Sequence, residues 1–259
     1  MDNRQYMDDV VELKTPQEIE IMKDAGKVLK SVLDAVVATI HAGVSTEELD
    51  KVAYTHIRDA DAIPAFLGYR GYPATLCTSI NNEVVHGIPS PERILKEGDI
   101  ISLDIGLVKN GFFSDTALTV GVGVIDEHSQ KLIEVTRESL WKAIDTARVG
   151  NRLGDISAAV QEHVEGYGFA VVREYSGHGI GRQLHEPPQV LNYGRRGTGS
   201  RLCSGMTLAI EPMVNAGDWR TRLLPDRWTV ATADGARSAH FEHTIVITDS
   251  GPLVLTGSE

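Results

Sequence analysis

Two hydrophobic spacings alternate along the chain. Ile19, Met22, Gly26, Leu29, Leu33, Val36 and Ile40 recur at intervals of three and four, which marks one face of a helix. Thr15-Pro16-Gln17-Glu18 before them has the form of a capping box with proline at the first helical position. The spacing therefore predicts an amphipathic helix from there to about Gly43. Ser45 to Glu48 opens a second helix with Leu49, Val52, Ala53, His56 and Ile57 on one side. Two more helical stretches follow at about 127–147 and 154–166.

Between these pairs the period changes to two. Residues 101–118, ISLDIGLVKNGFFSDTAL, read as a hairpin, because Asn110-Gly111 lies between apolar runs and both residues tolerate positive φ. With Lys109 opposite Phe112, each residue i faces 221 minus i. Ile101, Leu103, Ile105 and Leu107 then face Val120, Leu118, Thr116 and Ser114 on one largely apolar surface. Asp104 faces Ala117 and Asp115 faces Gly106 on the other, so the two aspartates are diagonal neighbours, ~7–8 Å apart between backbones. The residues around them, Ser102, Gly106, Ala117 and Thr119, are small. A solvent-facing sheet surface accounts for one strand aspartate taken alone. Two that converge with space between them suit a hard cation, since an unpaired carboxylate removed from water must neutralise, pair or bind metal.

A shift of 107 residues uncovers a weak internal repeat. Leu49, Val52, Ala53, His56 and Ile57 fall on Ile156, Ala159, Val160, His163 and Val164, and GDIISLDIG falls on GMTLAIEPM, which overlays Asp104 on Glu211. Glu242, in HFEHTIVIT, echoes Asp115 in FFSDTALTV. Two α-α-β-β halves are expected, each presenting two carboxylates from two strands toward a shared site.

Composition narrows the possibilities. The 259 residues are enough for a substantial core, and 42% hydrophobic with 24% charged residues describes a soluble globule. A net charge of −11 argues against direct nucleic-acid binding. No signal-peptide core or membrane-span pattern occurs, and two cysteines, Cys77 and Cys203, make neither a disulfide framework nor a thiolate zinc site, so a cytoplasmic setting is expected. Among nine histidines, His41, His56, His128 and His163 lie on or beside helices as surface or filler residues. His86 follows a short strand after an Asn-Asn turn. His178, in YSGHGIGRQLHEPP, has glycines around it that permit close approach, and that run has no phosphate-cradling spacing. His243 should face away from Glu242 by strand alternation. One histidine with four carboxylates forms a mixed oxygen and nitrogen set suited to two Mn, Fe, Co or Zn ions.

In the contexts SLDIG, FSDTA, SGHGIGRQLHE, AIEPM and FEHT, the residues Asp104, Asp115, His178, Glu211 and Glu242 resemble the dinuclear site of the methionine aminopeptidases, with similarity from about residue 13 to the end. The resemblance implies an α+β pita-bread fold: a tail over residues 1–12, then one catalytic domain over 13–259 in pseudo-symmetric halves of roughly 13–125 and 126–259. Prolidases and aminopeptidase P carry an extra amino-terminal domain, for which the chain has no room. Type 2 enzymes insert a subdomain between the last two glutamates, whereas 30 residues separate Glu211 from Glu242 here, as in the short bacterial type 1 form.

The roles implied by the resemblance are specific. The five residues would hold two divalent cations, with Asp115 and Glu242 bridging, and Glu211 would also act as general base. His185 would polarise the scissile carbonyl and His86 would contact the scissile amide nitrogen. Tyr69, Tyr72, Cys77, Leu184 and Trp228 would form the pocket for the methionine side chain. The substrates would be peptides and nascent chains with an N-terminal methionine and a small second residue, met at the ribosome by a monomer with no membrane contact. Two positions depart from the family pattern: Leu184 stands where Phe is usual, removing an aromatic wall, and His240 stands where Gln is frequent. The rival readings are an X-Pro dipeptidase and a pita-bread binding module that has lost catalysis.

Overall fold

A computed structural model describes residues 11–257; residues 1–10 of the expected tail and the last two residues of the second half lie outside the described residues. Among the described residues four α-helices form, α1 (Pro16–Ala38), α2 (Thr46–Asp59), α3 (Glu127–Thr146) and α4 (Leu153–Gly166). Helix α1 starts on the expected box: the Glu18 N–H donates to the Thr15 hydroxyl at 3.3 Å, and the Thr15 N–H donates to the Glu18 carboxylate at 2.7 Å. It stops at Ala38, short of Gly43. The Thr39 hydroxyl donates back to the Ala35 carbonyl at 3.0 Å and its N–H bonds the Val36 carbonyl, tightening the last turn. Gly43, with φ of 98°, belongs to the turn leading into α2. On α2 the face is narrower than expected, because Leu49, Ala53 and Ile57 are buried while His56 is exposed.

The strands Ile100–Lys109 and Phe112–Gly121 form the expected hairpin, with φ of 51° at Asn110 and 81° at Gly111. Asp104 pairs with Ala117, Gly106 with Asp115 and Lys109 with Phe112, which is the register read from the turn. The hairpin lies in a nine-stranded sheet. Beyond Phe112–Gly121 come Glu242–Thr248, which also pairs with Gly251–Val254, then Thr207–Ile210, Ser176–Gly179 and Glu186–Leu191; Ile63–Pro64 and Leu76–Ile80 pair with Ile100–Lys109 on the other side. The two halves meet in the middle of the sheet, where Glu242 pairs with Ala117.

All four helices cover one face. Leu29, Leu33, Leu49 and Ile57 from α1 and α2 pack with Ile101, Leu103, Ile105 and Leu107. Leu140, Ile144, Ile156 and Val160 from α3 and α4 pack with Leu208, Ile210, Ile245 and Ile247. Strand alternation sends the intervening residues, Asp104, Asp115, Ala209 and Glu242, to the opposite face. The excursion between Glu211 and Glu242 contributes to two small three-stranded sheets. One of these joins Thr221–Leu223, Val230–Thr232 and Glu83–Val85, and so holds Trp228 and His86 at strand ends.

Candidate active site

Two adjacent rows of the sheet gather the acids. Partners across the first row run Cys77, Asp104, Ala117 and Glu242. Glu211 follows Ile210, the partner of His243, and so falls beside Glu242. In the next row Asp115 faces Gly106 and His178 faces Ala209. Thr244 ties the rows across the junction: its hydroxyl accepts from the Asp115 N–H at 3.0 Å and donates to the Asp115 carbonyl at 2.8 Å. Around His178 the backbone is close-packed, since a Cβ on Gly177 would lie 2.3 Å from the Ala209 carbonyl oxygen and one on Gly179 2.1 Å from that of Pro187.

Donor atoms of Asp115, His178 and Glu242 all lie within 4.8 Å of one another, and all three side chains are buried. His178 Nε2 is 3.5 Å from Glu211 Oε1, and the Asp104 and Asp115 carboxyl groups are in hydrogen-bond contact. Asp104 Oδ1, Asp115 Oδ1 and Glu242 Oε1 have no hydrogen-bond partner among the described residues. Burial pushes Asp104 up to about 7 despite the hydrogen bond from Asp115. Burial first, and neighbouring carboxylates second, raise Asp115, Glu211 and Glu242 well above the usual carboxylate range. The reverse holds for His178, lowered to about 3 by burial and then by His185. Its Nδ1 lies 2.8 Å from the Gly179 carbonyl, which can only accept, so Nδ1 carries the proton and Nε2 presents a lone pair toward the acids. Carboxylates that cannot all ionise unaided, beside an imidazole that stays neutral, fit divalent cations chemically.

A cavity of about 170 Å³ opens over this cluster. Its lining includes the four acids and the histidine of the cluster, together with His86, His185, Tyr69, Tyr72, Cys77, Leu184 and Trp228, so the structure brings the sequence-predicted residues together. His185 stacks on Tyr69 at 5.4 Å and lies 4.2 Å from the His178 ring. Although the His185 ring reaches solvent, desolvation by its neighbours, then the Arg70 charge, holds it below its ordinary value. His86, at φ 61°, meets Tyr175 and Trp228 edge to face, and burial followed by His185 lowers it to about 4. Burial, then the Asp104 charge, raises the Cys77 thiol, which makes it a wall rather than a nucleophile. His243 faces away, its Nδ1 2.9 Å from the Thr256 hydroxyl.

Two lining residues escaped the sequence reading. Phe66 packs in the same apolar cluster as Tyr72, Cys77 and Leu184, so an aromatic wall comes from a different element than the family pattern uses. Nothing in the periodicity marks it. Arg70 sits at φ 50° between Gly68 at 83° and Gly71 at 91°; the paired glycines of GYRGYP were the available signal for a left-handed loop. His240 does not line the cavity. It is buried behind Glu211, with Nε2 3.7 Å from Oε2, and neither ring nitrogen has a hydrogen-bond partner among the described residues.

Residues 20–249 match the family model described as metallopeptidase family M24. The methionine aminopeptidase of Clostridium acetobutylicum is 50% identical over 244 residues, covering 94% of this chain and 98% of that protein. The crystal structure of methionine aminopeptidase from Thermotoga maritima superposes with a TM-score of 0.95 at 49% identity, covering 96% of this chain and 100% of that one. An Xaa-Pro dipeptidase from Bacillus anthracis shares the fold alone, with a TM-score of 0.75 at 23% identity and 62% of its own length covered. The fold is the α+β pita-bread fold expected from the repeat and the resemblance.

Proposed function

This chain belongs to metallopeptidase family M24 and to its methionine aminopeptidases, and from that premise we propose how its residues remove an N-terminal methionine. The observation that carries the reading is the convergence of four carboxyl groups and one neutral imidazole at the floor of an apolar cavity. Asp104, Asp115, His178, Glu211 and Glu242 would hold two divalent cations, of Co, Mn, Fe or Zn. Such a pair supplies Lewis acidity and lowers the pKa of a bound water toward about 7.

The chain's own residues do the rest. Glu211 takes the proton of the attacking water as general base. His185 donates a hydrogen bond to the scissile carbonyl oxygen as negative charge develops there. His86, rigid between Tyr175 and Trp228, hydrogen-bonds the scissile nitrogen and assists departure of the amine. The methionine side chain enters among Tyr69, Tyr72, Cys77, Leu184 and Trp228, with Phe66 completing the wall. The products are free methionine and a peptide one residue shorter.

The preference would be for a small second residue, as in the family the chain resembles. The enzyme would act as a single-domain monomer on nascent chains in the cytoplasm. No helix among the described residues is long and apolar enough to cross a membrane.

Peptide hydrolysis followed by mass spectrometry, with Co or Mn added, tests the reading. Met-Ala-Ser and Met-Gly-Met-Met should be cleaved and Met-Lys-Ser should not. An N-formylated peptide should resist, because acylation removes the free amine. Leucine release from Leu-Pro matching methionine release would favour an X-Pro dipeptidase, and silence on every peptide would favour a binding module.

A further inference from the structure

We propose that the Tyr69 hydroxyl sets the tautomer of His185, making Tyr69 a positioning residue for the reaction as well as a wall of the pocket. The inference rests on the reading of His185 as a donor to the scissile carbonyl. The Tyr69 hydroxyl is 2.8 Å from His185 Nδ1, and the two rings stack with an interplanar angle of 24°. A neutral imidazole carries one N–H and one lone pair, so whatever occupies Nδ1 decides what Nε2 can do. When the hydroxyl donates, Nδ1 holds the lone pair and Nε2 carries the proton. When it accepts, Nε2 turns a lone pair toward the substrate, where it would repel the developing oxyanion. Only the first arrangement lets the ring work.

The backbone that carries the Tyr69 ring is held from both sides of its own loop. The Tyr69 N–H bonds the Phe66 carbonyl at 2.9 Å, the Tyr72 N–H bonds the Tyr69 carbonyl at 2.9 Å, and the Gly68 N–H closes onto Tyr72 at 2.8 Å. Left-handed backbone at Gly68, Arg70 and Gly71 makes that closure possible. Arg70 lies over the ring, 5.4 Å from its centroid.

Tyr69→Phe isolates the hydroxyl, because the ring, and with it the pocket wall, remains. In the metal-loaded enzyme acting on Met-Ala-Ser, kcat should fall about 10–100-fold while KM stays within about twofold. In a His185→Ala background the same change should cost nothing further, since both act through one donor. Nitrogen-15 NMR of the metal-free protein gives a reading independent of turnover: His185 should be protonated on Nε2 in the wild type and redistribute in Tyr69→Phe. Unchanged kcat, an equal loss in the His185→Ala background, or the same tautomer in both proteins would overturn the proposal. Normal turnover by His185→Ala alone would remove the catalytic role of His185, and the NMR comparison would still decide whether Tyr69 sets its ring.

Discussion

In the first half of the sheet Asp104 and Asp115 come from two strands joined by the two-residue turn Asn110-Gly111, whereas in the second Glu211 and Glu242 come from strands separated by a 30-residue excursion. The hairpin pairs acids diagonally, with Ala117 and Gly106 as their direct partners. The second half sets its two acids side by side, beyond the pairing of His243 with Ile210. The difference teaches a division of labour. The local half is a platform whose register comes from its turn. The non-local half spends its intervening residues on small sheets that place Trp228 and, by pairing with Glu83–Val85, His86 around the cavity, and His240 behind Glu211.

If the halves contribute equally to metal binding, Asp115→Asn and Glu242→Gln should have equal consequences. Each should bring turnover to background and lower the metal content of the purified protein, with circular dichroism unchanged. Near-normal activity of either variant in metal-replete buffer would break the equivalence, and would do so for the half in which it occurs.

A smaller effect, on stability, asks whether both halves carry the same burden of charge. Asp104, Asp115, Glu211 and Glu242 hold protons more tightly folded than unfolded. Their folded pKa values are raised, so stability is lost as pH rises from about 4, the unfolded carboxylate value, and through about 7 for Asp104. His86, His178, His240 and His243, held neutral by burial, oppose this trend below about 6.5, so calorimetry of chelator-treated protein should show a falling melting temperature above that pH, and added Mn or Co should flatten it. At pH 7 Asp104→Asn and Glu211→Gln should each stabilise the chelated protein. A rise for only one would show that the charge is carried unequally.

The smallest expected effect lies at the starts of the second helix in each half. Ser45 caps α2, its hydroxyl accepting the Glu48 N–H at 3.2 Å. At α4 the corresponding residue is Arg152, whose N–H is held by the Asp155 carboxylate at 2.8 Å while its own side chain caps nothing. Urea unfolding should charge Ser45→Ala about 1 kcal/mol and Arg152→Ala a few tenths. Equal costs would remove this distinction between the halves.

Much of this was written in the sequence, and the reason differs from element to element. Helix positions follow from spacings of three and four, and the register of Asp104 and Asp115 from Asn110-Gly111 plus strand alternation, all of which act within a few residues. The 107-residue shift placed Glu211 and Glu242 as their counterparts. The roles of His86, His185 and the pocket residues came from family resemblance, because no local pattern distinguishes a ring that faces a cavity from one that fills a core. The end of α1 differs from the spacing because a competing side-chain hydrogen bond, rather than period, decides it.

By itself, then, the sequence determined the elements and which face of each strand carries an acid, since backbone geometry transmits those choices to adjacent residues. Only the tertiary structure decided how those faces meet. Phe66 joining the pocket, His240 lying behind Glu211 and the Tyr69 hydroxyl bonding His185 are contacts between segments remote in sequence, 116 positions apart in the last case. No propensity or turn encodes such a distance; it is set when the two halves pack their helices on one face of a shared sheet and leave the other face to close over the acids.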